Sequence, residues 1–393
     1  MEVVDHLDKL TSIALVTTAA LLCGLALIRA RQPAIVGYIL AGIVLGPTCL
    51  AVISNTEAVQ ILAELGVVML LFMIGMELSL RGFKNVYKIA LSTAALQIVM
   101  SIGLFWVIGS FLGWTMEKAV VFGFACAISS TAVAIKMLEE TQDLNGPVGR
   151  VTVSVLIAQD LAVIPILLII SAFGTDAAPT GTILAKIALA IGFLGLLTAF
   201  LSRRQKLRLP LTGWIVSKPE IVPLAAMAFC FSLTALSGVL GLSTAYGAFI
   251  AGLIIGNSDS RVVIHKAVEP IQAILLMVFF LSIGLLIDID YIMNNLRNVL
   301  LVLAAVTVLK TIVNVAILHF LGKPWDRAFH AGVVMAQIGE FSFVIVAAGL
   351  ASHAISDDAY RMMIAVIALS LLISPMWQVV ARKLHDIALG TRS

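Results

Sequence analysis

Charged residues are scarce in this chain: Asp, Glu, Lys and Arg make up 12% of its 393 residues, against about 25% in an ordinary soluble domain. A water-soluble protein this poor in charge could not cover its own surface, so a soluble globular fold is excluded. The net charge of +3 is also small, and it gives no indication of a nucleic-acid partner.

Cysteine is also scarce, with four residues in the chain, and no C-x-x-C spacing occurs. The four cysteines lie in or beside apolar segments and are interpreted as small core residues: Cys23, Cys49, Cys126 and Cys230. We expect no cofactor. The N-terminal sequence MEVVDHLDKL lacks the basic region that opens a signal peptide, so the first apolar segment is expected to remain as a helix.

Long apolar segments are what the chain has in abundance. Hydrophobic residues make up 61% of it and the mean hydropathy is +1.09. Most apolar stretches exceed the roughly 18 residues that a helix needs to cross about 30 Å of hydrocarbon. Because apolar and polar residues do not alternate, a membrane barrel is not indicated. The sequence predicts an all-α, polytopic membrane protein with about 13 transmembrane helices. The predicted spans are residues 11–28, 33–52, 59–78, 87–112, 117–138, 148–173, 181–201, 221–237, 242–256, 268–287, 298–321, 327–352 and 360–381.

The positions of the basic residues agree with this count. With the N-terminus outside, nineteen of the 25 Lys and Arg residues fall in inside loops, five fall in outside loops, and Lys310 falls within a span. Adding or removing one span would distribute the Lys and Arg residues over loops on both sides of the membrane. Membrane proteins instead concentrate Lys and Arg in their cytoplasmic loops. We therefore expect a multi-pass protein of a cell membrane, with its C-terminus in the cytoplasm.

A short sequence repeat relates the two halves of the chain. Leu71–Met76, at the end of the third span, is similar to Phe280–Leu285, at the end of the tenth. Because the two copies are seven spans apart, they have opposite topology. Inverted repeats are typical of secondary transporters, whose substrate site lies between the repeats near the midplane.

Two charged residues lie deep inside predicted spans. Lys310 is near the middle of a long apolar stretch, and Asp160 is about thirteen residues from either end of its span. A charge at the bilayer centre costs at least ~2.5–3.5 kcal/mol, so such residues face protein or water and mark candidate functional sites. A plain Asp160–Lys310 salt bridge between two helices is the alternative, although apolar residues often replace a buried pair without loss of stability.

Polar residues interrupt three spans at a similar depth. Gln159 precedes Asp160, and Pro165 lacks an N–H and so leaves the carbonyl of Leu161 available beside the carboxylate. The fifth span carries Ser129, Ser130 and Thr131, and the twelfth carries Gln337, Gly339 and Glu340. We interpret both as interrupted helices whose half-helix ends present dipoles and backbone groups to an ion. The serines alone could instead bond back to their own helix.

Taken in order, five segments resemble those of the cation:proton antiporter-2 family, in particular the membrane domain of KefC-type potassium efflux systems. The segments are 37–42 with Gly46-Pro47, Ser129–Ala132, Gln159-Asp160, Tyr246–Phe249 and Gln337–Phe341. The resemblance covers nearly the whole chain.

The resemblance implies that Asp160 binds a cation and a proton in turn, that Lys310 is its charge partner, and that the two interrupted helices cross beside the ion site. The ion site would comprise Asp160, Gln159, Ser129, Ser130 and Thr131, with Gln337, Gly339 and Glu340 in the second interrupted helix. Many sodium-type relatives carry two adjacent acids where this chain has Gln159-Asp160, a form that is typical of the potassium-type subgroup.

A homodimer in the lipid bilayer is also implied. The dimerisation part would comprise about 11–80 and 221–290, and the ion-transport core about 87–173 and 298–385. KefC-type proteins carry a nucleotide-binding domain after the last helix, whereas this chain ends about a dozen residues past it. The chain is therefore either a shorter relative or part of a longer protein; we expect no such domain within it, and gating by nucleotide or glutathione is not carried over.

The predicted function is exchange of a monovalent cation, K⁺ in preference to Na⁺, for H⁺ across the inner membrane of a bacterium by alternating access. A ligand-gated K⁺ efflux channel and a non-transporting membrane scaffold are the alternatives. Counter-movement of protons separates the first two, and the charges of Asp160 and Lys310 argue against the third.

Overall fold

The computed structural model describes residues 2–30, 33–46, 49–50, 56–77, 87–144, 146–173, 212–240 and 244–389, with a few single residues and pairs between 188 and 207. Helices account for most of these residues. The β-contact recorded among them is one isolated bridge between Leu207 and Ser258. The all-α prediction is therefore confirmed.

Sixteen helices are found among the described residues. They are α1 (Glu2–Arg29), α2 (Ala34–Leu45), α3 (Thr56–Glu77), α4 (Tyr87–Leu112), α5 (Met116–Ala127), α6 (Thr131–Glu140), α7 (Pro147–Ser171), α8 (Thr212–Val216), α9 (Val222–Val239), α10 (Thr244–Gly256), α11 (Arg261–Leu286), α12 (Ile289–Asn294), α13 (Leu296–Phe320), α14 (Trp325–Val334), α15 (Phe341–Ala351) and α16 (Asp357–Leu389).

Most predicted spans coincide with these helices, but their boundaries differ. The second span was predicted to reach residue 52, yet α2 ends at Leu45, because Gly46 is extended and a proline follows it. Pro165 does not end α7, which continues to Ser171. The predicted span 181–201 lies almost wholly outside the described residues.

By length and apolar composition, the described residues contain six segments that could each cross a bilayer, one of which is α5 together with α6, or seven if one bent pair counts as a single span. Four further apolar helices are shorter. The total of 13 spans therefore stays a prediction.

The two spans predicted to be interrupted are interrupted. Residues 128–130 separate α5 from α6, and residues 335–340 separate α14 from α15. Ser130 begins α6 because its hydroxyl accepts a hydrogen bond of 3.3 Å from the backbone N–H of Val133, which is N-terminal capping. Glu340, which precedes α15, makes no side-chain capping bond.

The chain forms two compact units. The first comprises Met1–Ser54, Val86–Ala162 and Ile283–Ser393, and the second comprises Asn55–Asn85 and Val163–Ser282. All nine residues of the predicted ion site belong to the first unit. The division into a dimerisation part and an ion-transport core stays a proposal.

The internal repeat also appears in how two pairs of helices pack. In the first unit, a Cβ on Gly37 of α2 would lie 2.6 Å from the carbonyl oxygen of Cys23 in α1. In the second unit, Gly247 of α10 lies against the carbonyl of Leu233 in α9 in the same way. Each member of the second pair follows its counterpart by 210 positions, and small residues of this kind let helix backbones approach closely.

A second pair of contacts repeats with nearly the same spacing. Within the second unit, Gly75 of α3 lies against the carbonyl of Phe249. Within the first unit, Gly284 of α11 lies against the carbonyl of Ile39. The similarity of Leu71–Met76 to Phe280–Leu285 is therefore one part of a repeated packing arrangement. In each copy, the glycine of this segment packs against a backbone carbonyl of another helix.

Candidate ion site at the crossing of two interrupted helices

The two helix interruptions meet. The backbone N–H of Gly339 donates to the carbonyl of Ile128 at 2.9 Å, and the Ser129 hydroxyl donates to the carbonyl of Met335 at 2.9 Å. A Cβ at position 339 would lie 2.7 Å from the carbonyl carbon and oxygen of Ser129. Glycine is therefore required at 339 for the two backbones to cross.

Lys310 of α13 binds both interruptions. Its ammonium donates to the carbonyl oxygens of Ile128 at 2.7 Å and Gln337 at 3.0 Å, and the residue is 6% exposed. Both carbonyls lie just beyond the C-terminal ends of half-helices, where the backbone dipoles leave partial negative charge. The lysine thus satisfies backbone acceptors that an unbroken helix would have paired. Its pairing with Asp160 stays a prediction.

Two carboxylates lie at the N-terminal ends of the other half-helices. Asp160 of α7 accepts a hydrogen bond of 3.0 Å from the hydroxyl of Thr131, the first residue of α6. Glu340 directly precedes α15, and the side chain of Ser130 hydrogen-bonds its carboxyl group. Negative groups are favoured at these ends because the first N–H groups of a helix carry partial positive charge.

The two carboxylates differ in exposure. Glu340 is 8% exposed, and its Oε2 has no hydrogen-bond partner among the described residues. Asp160 is only partly buried. Of the two carboxylates, Asp160 is therefore the more exposed.

Gln159 is held by hydrogen bonds at both ends of its carboxamide. Its Oε1 accepts from the backbone N–H of Ser129 at 2.8 Å, and its Nε2 donates to Oε1 of Gln97 at 2.7 Å. Gln97 Nε2 donates in turn to Oδ1 of Asn314 at 2.8 Å. These contacts support a positioning role for Gln159 beside Asp160; direct binding of a cation by Gln159 stays a prediction.

Asn314 ends this chain of amides at the second interruption. Its Nδ2 donates to the carbonyls of Met335 at 3.0 Å and Gly332 at 3.3 Å. Sequence reasoning missed both Gln97 and Asn314. The signal for Asn314 was its position four residues after Lys310, which places both on one face of a helix. The signal for Gln97 was a lone amide in the middle of an apolar span.

Gln337 and the serines complete the crossing. Gln337 Nε2 donates to the carbonyl of Ser130 at 3.2 Å, and the N–H of Ile338 donates to the hydroxyl of Ser370 at 3.2 Å. Through these contacts the structure joins all nine residues singled out in the sequence. Among the described residues, no group of three or more His, Cys, Asp or Glu side chains is placed to hold a metal ion.

Comparison with known proteins identifies the class. The family described as "Sodium/hydrogen exchanger, transmembrane" matches residues 15–379. The chain therefore belongs to the family of transmembrane sodium/hydrogen exchangers, which are transporters and not enzymes, and the predicted resemblance to cation:proton antiporters is confirmed. Among solved structures, the sodium proton antiporter MjNhaP1 of Methanocaldococcus jannaschii shares the fold with a TM-score of 0.69 at 16% identity, covering 96% of this chain and 99% of that one.

Three curated relatives illustrate the range of the family. "Iron transporter MagA" of Paramagnetospirillum magneticum is 47% identical, over 98% of this chain and 88% of that protein. "K(+) efflux antiporter 5" of Arabidopsis thaliana is 33% identical over 88% of this chain, and KefC of Salmonella typhi is 28% identical over 98%. The chain spans only 61% and 62% of these two longer proteins.

Proposed function

We propose that this protein exchanges a monovalent cation for protons, and that Asp160 binds one or the other in turn. The observation that carries the proposal is the contact of Asp160 with Thr131 at the start of α6, where a partly exposed carboxylate lies beside an interrupted helix. A single carboxylate is one site that a proton and a cation cannot occupy together, and the adjacent helix N-terminus favours the ionised carboxylate that a cation would bind.

K⁺ is the favoured cation, with Na⁺ as the alternative. Two of the relatives are named as K⁺ efflux proteins, and Gln159 stands where many sodium-type relatives have a second acid. One carboxylate beside neutral oxygen donors offers less charge to a small cation than two do, which favours the larger and more easily dehydrated K⁺.

Flux measurements in proteoliposomes test the proposal. With a pH-sensitive dye inside the vesicles, an imposed K⁺ or Na⁺ gradient should move protons in the opposite direction. Asp160→Asn should abolish this movement, because the amide keeps the shape but cannot exchange a proton. Asp326→Asn, at an exposed position in the first turn of α14, is the matched control and should retain exchange. Cation flux without proton counter-flow would indicate a channel, and exchange at the wild-type rate in Asp160→Asn would refute the carrier role.

Fe²⁺ is a second candidate cargo, since the relative at 47% identity is named an iron transporter. The same vesicles, loaded with a metal-sensitive dye and assayed under anaerobic conditions, would separate the two cargoes. Our proposal expects excess K⁺ or Na⁺ to drive proton movement while Fe²⁺ does not. Proton-coupled Fe²⁺ entry that depends on Asp160 and ignores K⁺ would assign iron instead.

We also propose that the protein is a homodimer in the bilayer, with about 11–80 and 221–290 forming the interface. Several large side chains of α9 are exposed, among them Leu224 (69%) and Val239 (85%), which leaves this helix free to pack on a second copy. Native mass spectrometry from lipid should show dimers, and monomers at every protein concentration would contradict the proposal.

A further inference from the structure

A cavity of about 450 Å³ lies between α4, α5, α13 and α16 in the first unit. Its walls are mostly apolar, and Phe105, Phe122 and Leu309 are among the side chains that line it. Lys310 and Val313 line its deep end, whereas Asp160 does not line it. The volume falls within the ~300–1,000 Å³ that is usual for small-molecule sites, which are apolar with a few placed polar groups.

The cavity is about as deep as one leaflet of a bilayer. From Lys118 to Cys126, both lining residues on α5, a helix rises ~12 Å at 1.5 Å per residue. From Leu301 to Lys310 on α13 it rises ~14 Å. Half of the hydrocarbon core is ~15 Å. The space therefore suits one extended acyl chain running from the membrane surface to the midplane.

The shallow end has the features of a membrane interface. The Lys118 ammonium lies 4.6 Å from the ring centre of Trp114 and 5.7 Å from that of Phe122. Tryptophan and lysine are typical of the level of the lipid head groups, where the lysine stem stays in apolar surroundings. Leu112 and Leu301 at the rim are 61% and 58% exposed, so the cavity opens sideways towards lipid.

Opposite charges line this end. Lys118 is partly exposed, and Asp358 at the start of α16 is exposed. An anionic lipid would satisfy the lysine and be repelled by the aspartate. A zwitterionic head group that carries a phosphate and a primary ammonium complements both side chains.

From this depth, lining and charge we propose that the cavity binds one phosphatidylethanolamine molecule. One of its two acyl chains fills the apolar space as far as Lys310, its phosphate contacts Lys118, and its ammonium contacts Asp358. The bound acyl chain would keep water away from the Lys310 side of the helix crossing, because an apolar cavity filled with hydrocarbon offers water no hydrogen-bond partners.

Lipid retention tests the proposal. Protein from bilayers of equal phosphatidylethanolamine and phosphatidylglycerol is examined by native mass spectrometry, and one phosphatidylethanolamine per chain should remain bound. Lys118→Ala should lower the occupancy of phosphatidylethanolamine roughly three- to tenfold, as expected when one charge-assisted contact is lost. Asp358→Asn should reduce the preference for phosphatidylethanolamine over phosphatidylglycerol. Ala305→Trp, which fills the cavity, should abolish retention. Ile312→Trp is the control, since Ile312 is 57% exposed on the same helix and does not line the cavity.

Cross-linking locates the bound lipid independently. A phosphatidylethanolamine with a diazirine at the end of one acyl chain should label the peptides that contain Cys126 or Leu309, and Ala305→Trp should remove that labelling while Ile312→Trp keeps it. Labelling spread evenly over the lipid-exposed faces of α4 and α13, or equal retention of both lipids in every variant, would show a nonspecific lipid annulus and overturn the proposal.

Discussion

Gly339 and Ile128 are joined by a backbone hydrogen bond of 2.9 Å, and each lies in a different interrupted span. The same carbonyl of Ile128 also accepts from the Lys310 ammonium at 2.7 Å. One carbonyl therefore ties α5, α13 and the segment before α15 together. Irregular backbone at membrane depth is tolerated only where it is buried in protein or lines a water-filled cavity, and this pair shows how the protein satisfies its backbone groups there.

We predict that Gly339→Ala disrupts the crossing. The new Cβ would lie 2.7 Å from the Ser129 carbonyl group, which is backbone and cannot rotate away. Overpacking of this kind costs ~1–3 kcal/mol, and cation–proton exchange should fall with it. Gly103→Ala is the control, because nothing lies within 4 Å of its added Cβ. Thermal unfolding in detergent and vesicle flux measure the two effects, and equal behaviour of the variants would contradict the close approach.

Lys310→Met is predicted to destabilise the protein by ~1.5–3 kcal/mol, the usual range for hydrogen bonds to a charged group. Methionine fills similar space but leaves the carbonyls of Ile128 and Gln337 without their donor. Lys136→Met removes an exposed lysine whose ion pair with Glu139 spans 3.9 Å, so it should change stability little. Chemical or thermal unfolding of the three proteins checks this, and unchanged stability in Lys310→Met would mean that the ammonium does not support the interruptions.

The sequence shows how deep a residue lies in a span, but it does not show which helices pack against each other. Depth in a span is visible in sequence, so Asp160, Lys310 and both polar triplets were found from their distance to the span ends. Which helices are neighbours is not visible, so nothing in the sequence connected Gln97, a lone amide in the middle of an apolar span, with this site. Hydropathy also sets span ends poorly: α11 begins at Arg261, seven residues before its predicted span, because a helix can continue beyond the apolar core.

Gln159→Glu is predicted to be tolerated only while the new acid is protonated. The present carboxamide accepts from Ser129 and donates to Gln97. A carboxylate could still accept but could not donate. A flipped Gln97 could donate to it, but its oxygen would then face Oδ1 of Asn314. Asn314 cannot flip in turn, because its Nδ2 donates to the carbonyls of Met335 and Gly332. Two acceptors would then face each other, at a cost of ~1–3 kcal/mol.

The pH dependence of this variant checks the argument. The stability difference from wild type should be small in acid, where the carboxylic acid donates as the amide does, and should grow as the pH rises and the new acid ionises. Gln159→Leu, which lacks both functions, should be destabilised equally at every pH. A pH-independent difference in Gln159→Glu would indicate that the chain of amides does not have the stated donor directions.

The last prediction concerns stoichiometry. Asp160 is the accessible carboxylate of the site, Gln159 is occupied by the protein at both ends, and Glu340 is 8% exposed. One carboxylate holds one proton or one monovalent cation, so exchange should be one for one and no net charge should cross the membrane. An imposed voltage should then leave the rate and the equilibrium unchanged, whereas each net charge moved would respond with ~2.3 kcal/mol per 100 mV.

The experiment is vesicle exchange across a series of ionophore-set potentials. A steep voltage dependence would show that a second proton moves per cycle, and loss of that dependence in Lys310→Gln, with exchange retained, would assign this proton to the lysine. The two hydrogen bonds that hold the ammonium to Ile128 and Gln337 favour a lysine that keeps its proton, because the charge-assisted hydrogen bonds of an ammonium are stronger than those of a neutral amine.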